Sequence, residues 1–364
     1  VSDANATVSV NGTATTSGSA SEAIALSTNT TTVTIVVTAQ DGTTRKTYTV
    51  VVIQSVPPGS SSSSSGGASS PSSGGASSGV PAAGNDNVDI YINGKLVHYG
   101  KLNVSNGVST ITLDTDNVVK ELQASGDQTV VKIPFPSSTD SMVTKLNGQL
   151  VKALEEKQSS VEIQTGKGSV RIPAAQFKIV EIQSEMGTNP DLRQIELEII
   201  IKKGDEDAVH KITQFTQQHG IYVIDSPIHF EIRATYKDKS VEVNSFDTFV
   251  DTTIPVSAGV ALSQITTAVV LNSDGSVTHV PTRIVNVDGK NQAVIKSLAT
   301  GTFSLIWNRK EFVDVTQEWA ISSINNLGSR LVVKGIAEDR FGPDQSITRA
   351  EFAAILVRAL GLHD

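Results

Sequence analysis

Few residues in this chain could do chemistry, and the most pointed of them sits near its end. In "SITRAEFAAILVRALGL" (346–362), Arg349 falls at the first position of a helix whose other members folding explains. Thr348 reads as the N-cap and Glu351, three residues on, as the second half of a capping box; Ile347 and Phe352 take the places of a hydrophobic staple. Ile355, Leu356, Ala359 and Leu360 continue one apolar stripe, which predicts a buried face. A cation at the first helical position meets the positive end of the helix dipole, which is mildly unfavourable. It could form a surface ion pair, for instance with Asp344, worth at most about 1 kcal/mol. It could instead meet an anionic ligand, which the free amides of the same helix start would help to hold. The residues alone leave both readings open.

Other candidate chemistry dissolves on inspection. "QTGKGS" (164–169) has the Gly-Lys pair of a phosphate loop, but Val161 stands where that loop needs glycine, so "VEIQTGKGSVRIP" reads as strand, turn, strand. Glu196 and Glu198 in "IELEIII" would share one strand face; a glycosidase uses two carboxylates, yet a solvated sheet face accounts for these. "LDTDN" and "GDEDA" lack the sixth-position Gly and closing Glu of a calcium loop, and read as helix caps. The six histidines are scattered without metal spacing, and no Gly-x-Ser-x-Gly elbow supplies a nucleophile. No catalytic residue, metal ligand or cofactor site is nominated.

The elements that must position these residues are mostly strands. "TTVTIVVTA" (31–39) and "KTYTVVVI" (46–53) are β-branched runs joined at Asp41-Gly42, with "ATVSVNG" (6–12) as a further strand. Residues 55–86, rich in Ser, Gly and Pro, bury nothing and should act as a tether with a reach of roughly 30 Å. From 87 to 309 the pattern is mixed: a hairpin about Asn93-Gly94, a helix capped by Asp114 or Thr115, a helix carrying Leu150, Val151 and Leu154, and a helix capped by Asp205 with Ala208, Ile212 and Phe215 inward. "IHFEIRATY" (228–236) alternates cleanly, and residues 267–307 read as a β-meander turned at Asp274-Gly275 and Asp288-Gly289. In the last segment Thr316 should cap a helix bearing Ala320, Ile324 and Leu327, before Gly335, Gly342 and Pro343 break the chain.

The totals set limits on partners. With 364 residues the chain has room for several domains, and a net charge of −8 disfavours nucleic acid, which needs a concentrated basic field. There is no cysteine, so disulfides and thiol chemistry are excluded, and no apolar run is long enough for membrane insertion. Aromatic content is only 5%, which argues against an aromatic-lined ligand pocket. The chain opens on Val1 without a signal-peptide pattern, as expected of a processed form or a fragment.

Two stretches resemble known families. Residues 311–364, through Phe312, Asp314-Val315, Trp319-Ala320, Ile324, Leu327, Gly335-Ile336, Phe341, Pro343 and "ITRAEFA", resemble one S-layer homology domain; Glu318 replaces the usual His, and "LGSRLVVKGI" departs from the usual helix end. The "DGTTRKTYTVVV" ending of residues 1–54 resembles part of a bacterial cadherin-like β-sandwich, whose other half would lie upstream of Val1. The expected architecture is therefore multidomain and β-rich α+β: a partial β-sandwich (1–54), a disordered linker (55–86), a β-rich α+β spacer (87–309) and a small all-α module (311–364). The first resemblance implies non-covalent attachment to a secondary cell-wall polysaccharide, often bearing pyruvate ketals, on the surface of a Gram-positive bacterium. It implies an acidic-sugar contact at Arg349 and carbohydrate-binding positions at Asp314, Trp319 and Gly335, although core packing is the slightly favoured reading of Trp319. It also implies adjoining repeats of the same domain, because the family's grooves form between neighbours. The alternative expectation is an accessory, anchoring region of a secreted polysaccharide-degrading enzyme.

Overall fold

Runs of Val, Ile and Thr suit a pleated, half-buried surface, and in the computed structural model they form two sheets in two compact units, Val1–Ser78 and Gly79–Asp364. The structure describes residues 6–16, 22, 30–53, 86–136, 139–187, 189–272, 274–287 and 289–362. The tether expected at 55–86, apart from Asp86, and Asp288 of the second Asp-Gly turn lie outside the described residues.

The first unit is a four-stranded antiparallel sheet of β1 (Thr7–Val10), β2 (Thr13–Thr15), β3 (Thr30–Thr38) and β4 (Arg45–Ile53), in the order β2-β1-β3-β4. Asp41 fixes the β3–β4 turn by accepting from the amides of Thr43 and Thr44 at 2.9 and 2.8 Å.

The second unit begins with β5 (Asp86–Ile92), β6 (Lys95–Ser105), β7 (Val108–Leu113), α1 (Thr115–Ala124), β8 (Val130–Pro134), β9 (Ser141–Asn147), α2 (Gly148–Glu156), β10 (Ser160–Thr165) and β11 (Gly168–Pro173). It continues with α3 (Ile179–Glu185), β12 (Glu196–Lys203), α4 (Glu206–Gln218), β13 (Tyr222–Tyr236), β14 (Lys239–Glu242) and β15 (Ser245–Pro255). The rest is β16 (Thr267–Leu271), β17 (Val277–Val280), β18 (Thr282–Val287), β19 (Lys290–Ala299), β20 (Gly301–Trp307), α5 (Glu318–Ser329) and α6 (Arg349–Leu360). All sixteen strands join one sheet, running β17-β16-β20-β13-β12-β9-β7-β6-β5-β8-β10-β11-β15-β19-β18, with β14 on β13.

Most neighbours are antiparallel, but β7 with β9 and β8 with β10 are parallel. Parallel neighbours need crossovers, and α1 and α2 lie within them, capped by Asp114 and Asn147 through bonds to Asn117 and Leu150 amides. These helices pack together and bury Val118, Leu122, Leu150, Val151 and Leu154. The main core continues through Phe177, Phe230 and Phe303. A second, smaller cluster of Ile212, Ile221, Val269, Val277 and Ile306 includes Ile212 of α4, which packs against β13 and β16. Asp205 caps α4, with its carboxylate accepting from the Ala208 amide at 2.8 Å.

The meander expected over 267–307 is not continuous. The β16–β17 hairpin and β20 sit at the β13 end of the sheet, while β18–β19 pairs with β15 at the other. Pro281 separates β17 from β18 and lacks the amide a ladder would need. The two ends of the sheet meet there: the Ala268 amide donates to Thr282 Oγ1 at 2.8 Å, and the Lys296 amide to the Pro281 carbonyl at 2.9 Å.

Candidate functional site

The helical end of the chain is built around a very small core. Phe312, Val315 and Ala320 are buried, with Ile321, Ile324 and Phe341 packed against them. Phe312 and Phe341 rings lie 5.5 Å apart. Thr316 does not cap α5. Its N-cap is Gln317, with no side-chain bond, so the first turn starts one residue later than Thr316 would set it. Leu327 is exposed, and the buried position in that turn is Gly328, where an added Cβ would come within 2.6 Å of the Phe312 ring.

Two of the expected sugar-contact positions serve the fold. Asp314 holds the turn at 341–342: its two carboxylate oxygens accept from the Phe341 and Gly342 amides, each at 2.8 Å. Those amides, the Phe341 one foremost, keep its carboxyl below the ordinary aspartate range. Gly335 is where the chain passes closest to that turn. A Cβ there would approach the Ala337 carbonyl to 2.6 Å and the Phe312 ring to 2.8 Å. Both positions thus have a use within the fold, Asp314 through its two bonds to the turn and Gly335 through its lack of a side chain.

Trp319 and Arg349 behave differently. Trp319, in the first turn of α5, is 85% exposed, so the core-packing alternative fails: the small core is filled by Ala320 and Ile324 on the other side of the helix. Arg349 is exposed at the first residue of α6 and, among the described residues, forms no hydrogen bond or ion pair; Asp344 is exposed and unpaired with it. Beneath Arg349 the capping box is complete. Thr348 Oγ1 accepts from the Glu351 amide at 3.1 Å, and Glu351 Oε2 accepts from the Thr348 amide at 2.7 Å. The Thr348 amide in turn holds the Glu351 carboxyl below its usual value. The Glu351 carboxylate is committed to Thr348, and the guanidinium is left facing water.

The apolar stripe of α6 is a correction of another kind. No residue of the helix is buried. Ile347 and Phe352, the expected staple, are 57% and 53% exposed, and Leu356 and Leu360 stay exposed too, because the small core on Phe312 does not extend to them. The main contact of α6 among the described residues is with β17, toward its C-terminal end. There Gly361 takes the left-handed conformation, φ 65°, and stands so close to Pro281 that a Cβ would lie 2.8 Å from its ring.

Sequence reasoning missed this seam with the sheet. Arg330 at the end of α5 donates to the Thr282 carbonyl at 3.4 Å, Asn308 Nδ2 donates to the Ser329 carbonyl at 2.7 Å, and Leu331 packs against the cluster beneath α4. Leu331, with φ 64°, is a leucine in the region glycine favours, and nothing in the local pattern announces it.

The remaining candidates are closed. Lys145 bridges both Glu196 and Glu198, at 2.7 and 3.0 Å. Glu231, between His229 and Arg233, is drawn down to about 2, chiefly by the His229 contact. An open depression of about 590 Å³ at Arg309, Lys310, Glu311, Glu338 and Asp339 has mixed charge and no aromatic wall. No helix among the described residues is long and apolar enough to cross a membrane.

Against this geometry, two family models match the chain. Residues 311–353 match the S-layer homology domain, and residues 1–55 match the cadherin-like beta sandwich domain. Domains of the first family bind cell-wall polysaccharides, and the match points to attachment at the cell wall or surface. Among curated proteins, the chain is 38% identical over 55 residues to the amylopullulanase of Thermoanaerobacterium thermosulfurigenes and 36% identical over 53 residues to endo-1,4-beta-xylanase A of Thermoanaerobacterium saccharolyticum. Each alignment covers 15% of this chain, and only 3% and 5% of the respective relatives. No solved structure matches the chain significantly.

Proposed function

We propose that this chain is a non-catalytic part of a bacterial surface protein that attaches to secondary cell-wall polysaccharide through its helical end. The observation that carries the reading is the unpaired Arg349 above a complete capping box. A cation held at a helix start against the dipole, with no carboxylate of its own, fits an acidic group supplied by a ligand. A pyruvylated sugar has that chemistry, and Trp319 offers an exposed ring for its apolar face. Residues 311–364 act in this reading as a small helical module; 1–54, 55–86 and 87–309 are its sandwich part, tether and spacer. The exposed Phe352, Leu356 and Leu360 of α6 support packing against adjoining repeats of the same kind.

The test is co-sedimentation of a protein carrying residues 311–364 in three tandem copies with purified wall sacculi, before and after chemical removal of the secondary polymer. Pelleting with intact sacculi alone supports the reading. Equal pelleting with both preparations, or with neither at high loading, contradicts it.

A second reading has its own support. Both curated relatives carry names of polysaccharide-degrading enzymes, so this chain would be the accessory, anchoring region of such an enzyme, with the catalytic domain elsewhere. A glycosidase domain in the same open reading frame would decide for it.

A further inference from the structure

The seam between the sheet and the C-terminal helices contains a buried titratable group that anchoring does not use. His279 of β17 is 5% exposed, and its Nδ1 lies 2.9 Å from Oγ1 of the fully buried Thr267 on β16. The same short stretch receives both helices. Gly361 at the end of α6 sits over Pro281 and within contact distance of the His279 carbonyl, and Arg330 at the end of α5 donates to the Thr282 carbonyl.

Charge at this point is one-sided. Arg330 is the charged group that bears on the imidazole. The other elements around it carry Glu351 and Arg358 on α6, Glu318 on α5, Arg283 on β18 and Lys296 on β19, and β16 brings no charged side chain. Among the described residues, no carboxylate pairs with His279, so a proton there would be buried near a guanidinium without a counter-ion. Two other histidines of the sheet each face a carboxylate instead: His98 lies 2.9 Å from Asp89 and His229 lies 3.4 Å from Glu231.

We propose that this seam is an acid-sensitive latch: proton uptake by His279 releases α5 and α6 from the sheet while the sheet itself stays folded. Burial, and then Arg330, lower the histidine from 6.5 to about 4. A group depressed in the docked state contributes stability that is complete above its ordinary value and is lost as pH falls toward the docked value. The window is therefore pH 6.5 down to 4. From pH 7 to pH 5 the undocked population should rise on the order of twentyfold. Asp314 and Glu351, whose ordinary values are 3.8 and 4.5 and which are lowered further, stay ionised at pH 5. The inference does not depend on what the helices bind.

The experiment is hydrogen exchange of the full chain at pH 7 and pH 5, corrected for intrinsic rates, comparing peptides of α5 and α6 with those of β12 and β13. Protection of the helices should drop about tenfold or more at pH 5 while the strands keep theirs, and His279→Gln should abolish that step. Arg330→Gln, a milder change that suffices if His279→Gln fails to fold, should shrink the step by removing the repelling charge. Helices that stay protected at pH 5, strands and helices that open together, or a step that either folded variant leaves unchanged would each overturn the latch.

Discussion

Phe303 of β20 has no exposed surface, while Phe352 of α6, in the same unit of the chain, keeps about half of its own. Both belong to well-patterned elements. The strand is buried on both faces, and the helix repeats apolar residues at helical spacing between proper caps. They differ only in what faces them. The sheet curls until its ends meet at Pro281 and closes on its own core, whereas α6 rests on β17 by one end and presents its stripe to water. Periodicity in a sequence thus identifies an apolar face but not the location of its partner. A bare face in a well-capped helix fits the proposed packing against another module.

The largest test of this contrast is a pair of truncations. Phe303→Ala should cost about 3–5 kcal/mol, as for other large residues removed from a packed interior. Leu356→Ala should change stability by no more than about 0.5 kcal/mol in a urea titration, because the residue has little to lose. A cost above about 2 kcal/mol for Leu356→Ala would mean that the stripe is covered within the chain.

Gly335→Ala comes next. The methyl group would press on the Ala337 carbonyl and the Phe312 ring, and overpacking of this kind costs about 1–3 kcal/mol. Hydrogen exchange should show the loss in α5 and not in β12 or β13. A neutral result would return Gly335 to the list of residues kept for a ligand.

Smaller again is Thr348→Ala, at about 1 kcal/mol, seen as fraying of the first turn of α6. Acid removes the opposite arm of the same box. Glu351 and Asp314 are both lowered by backbone amides, so their stabilisation is present above their ordinary values of 4.5 and 3.8 and fades as pH falls through the lower native ones. Circular dichroism of the helical end should therefore weaken below about pH 4, and Thr348→Ala should blunt that change. A helical signal unaltered down to pH 2 would contradict the box.

Much of the local structure was legible in advance. Asp114, Asp205 and Thr348 cap helices as their spacing suggests, Asn93-Gly94 turns a hairpin, and "VEIQTGKGSVRIP" is a hairpin and not a phosphate loop. These depend on bonds that close within a few residues. The strand order was not legible, because the parallel pairs β7/β9 and β8/β10 and the split of residues 267–307 between two sheet ends depend on long-range contacts. Within the candidate site, the local rules found the capping box and the odd cation. They did not find that Asp314 and Gly335 serve the 335–342 turn, that Trp319 faces water, or that Arg330 and Gly361 tie the helices to His279's strand. All three need chain segments to meet that no short window contains.

Arg349→Ala is the most direct test of the central claim, because folding makes no use of that guanidinium. In a protein carrying residues 311–364 in three tandem copies, the substitution should leave helicity unchanged and weaken sedimentation with purified wall sacculi. The wild-type contact should also fade with added salt, as an exposed ionic contact does. Pelleting that is equal for both proteins at every salt concentration would contradict the account and make Arg349 an ordinary surface residue.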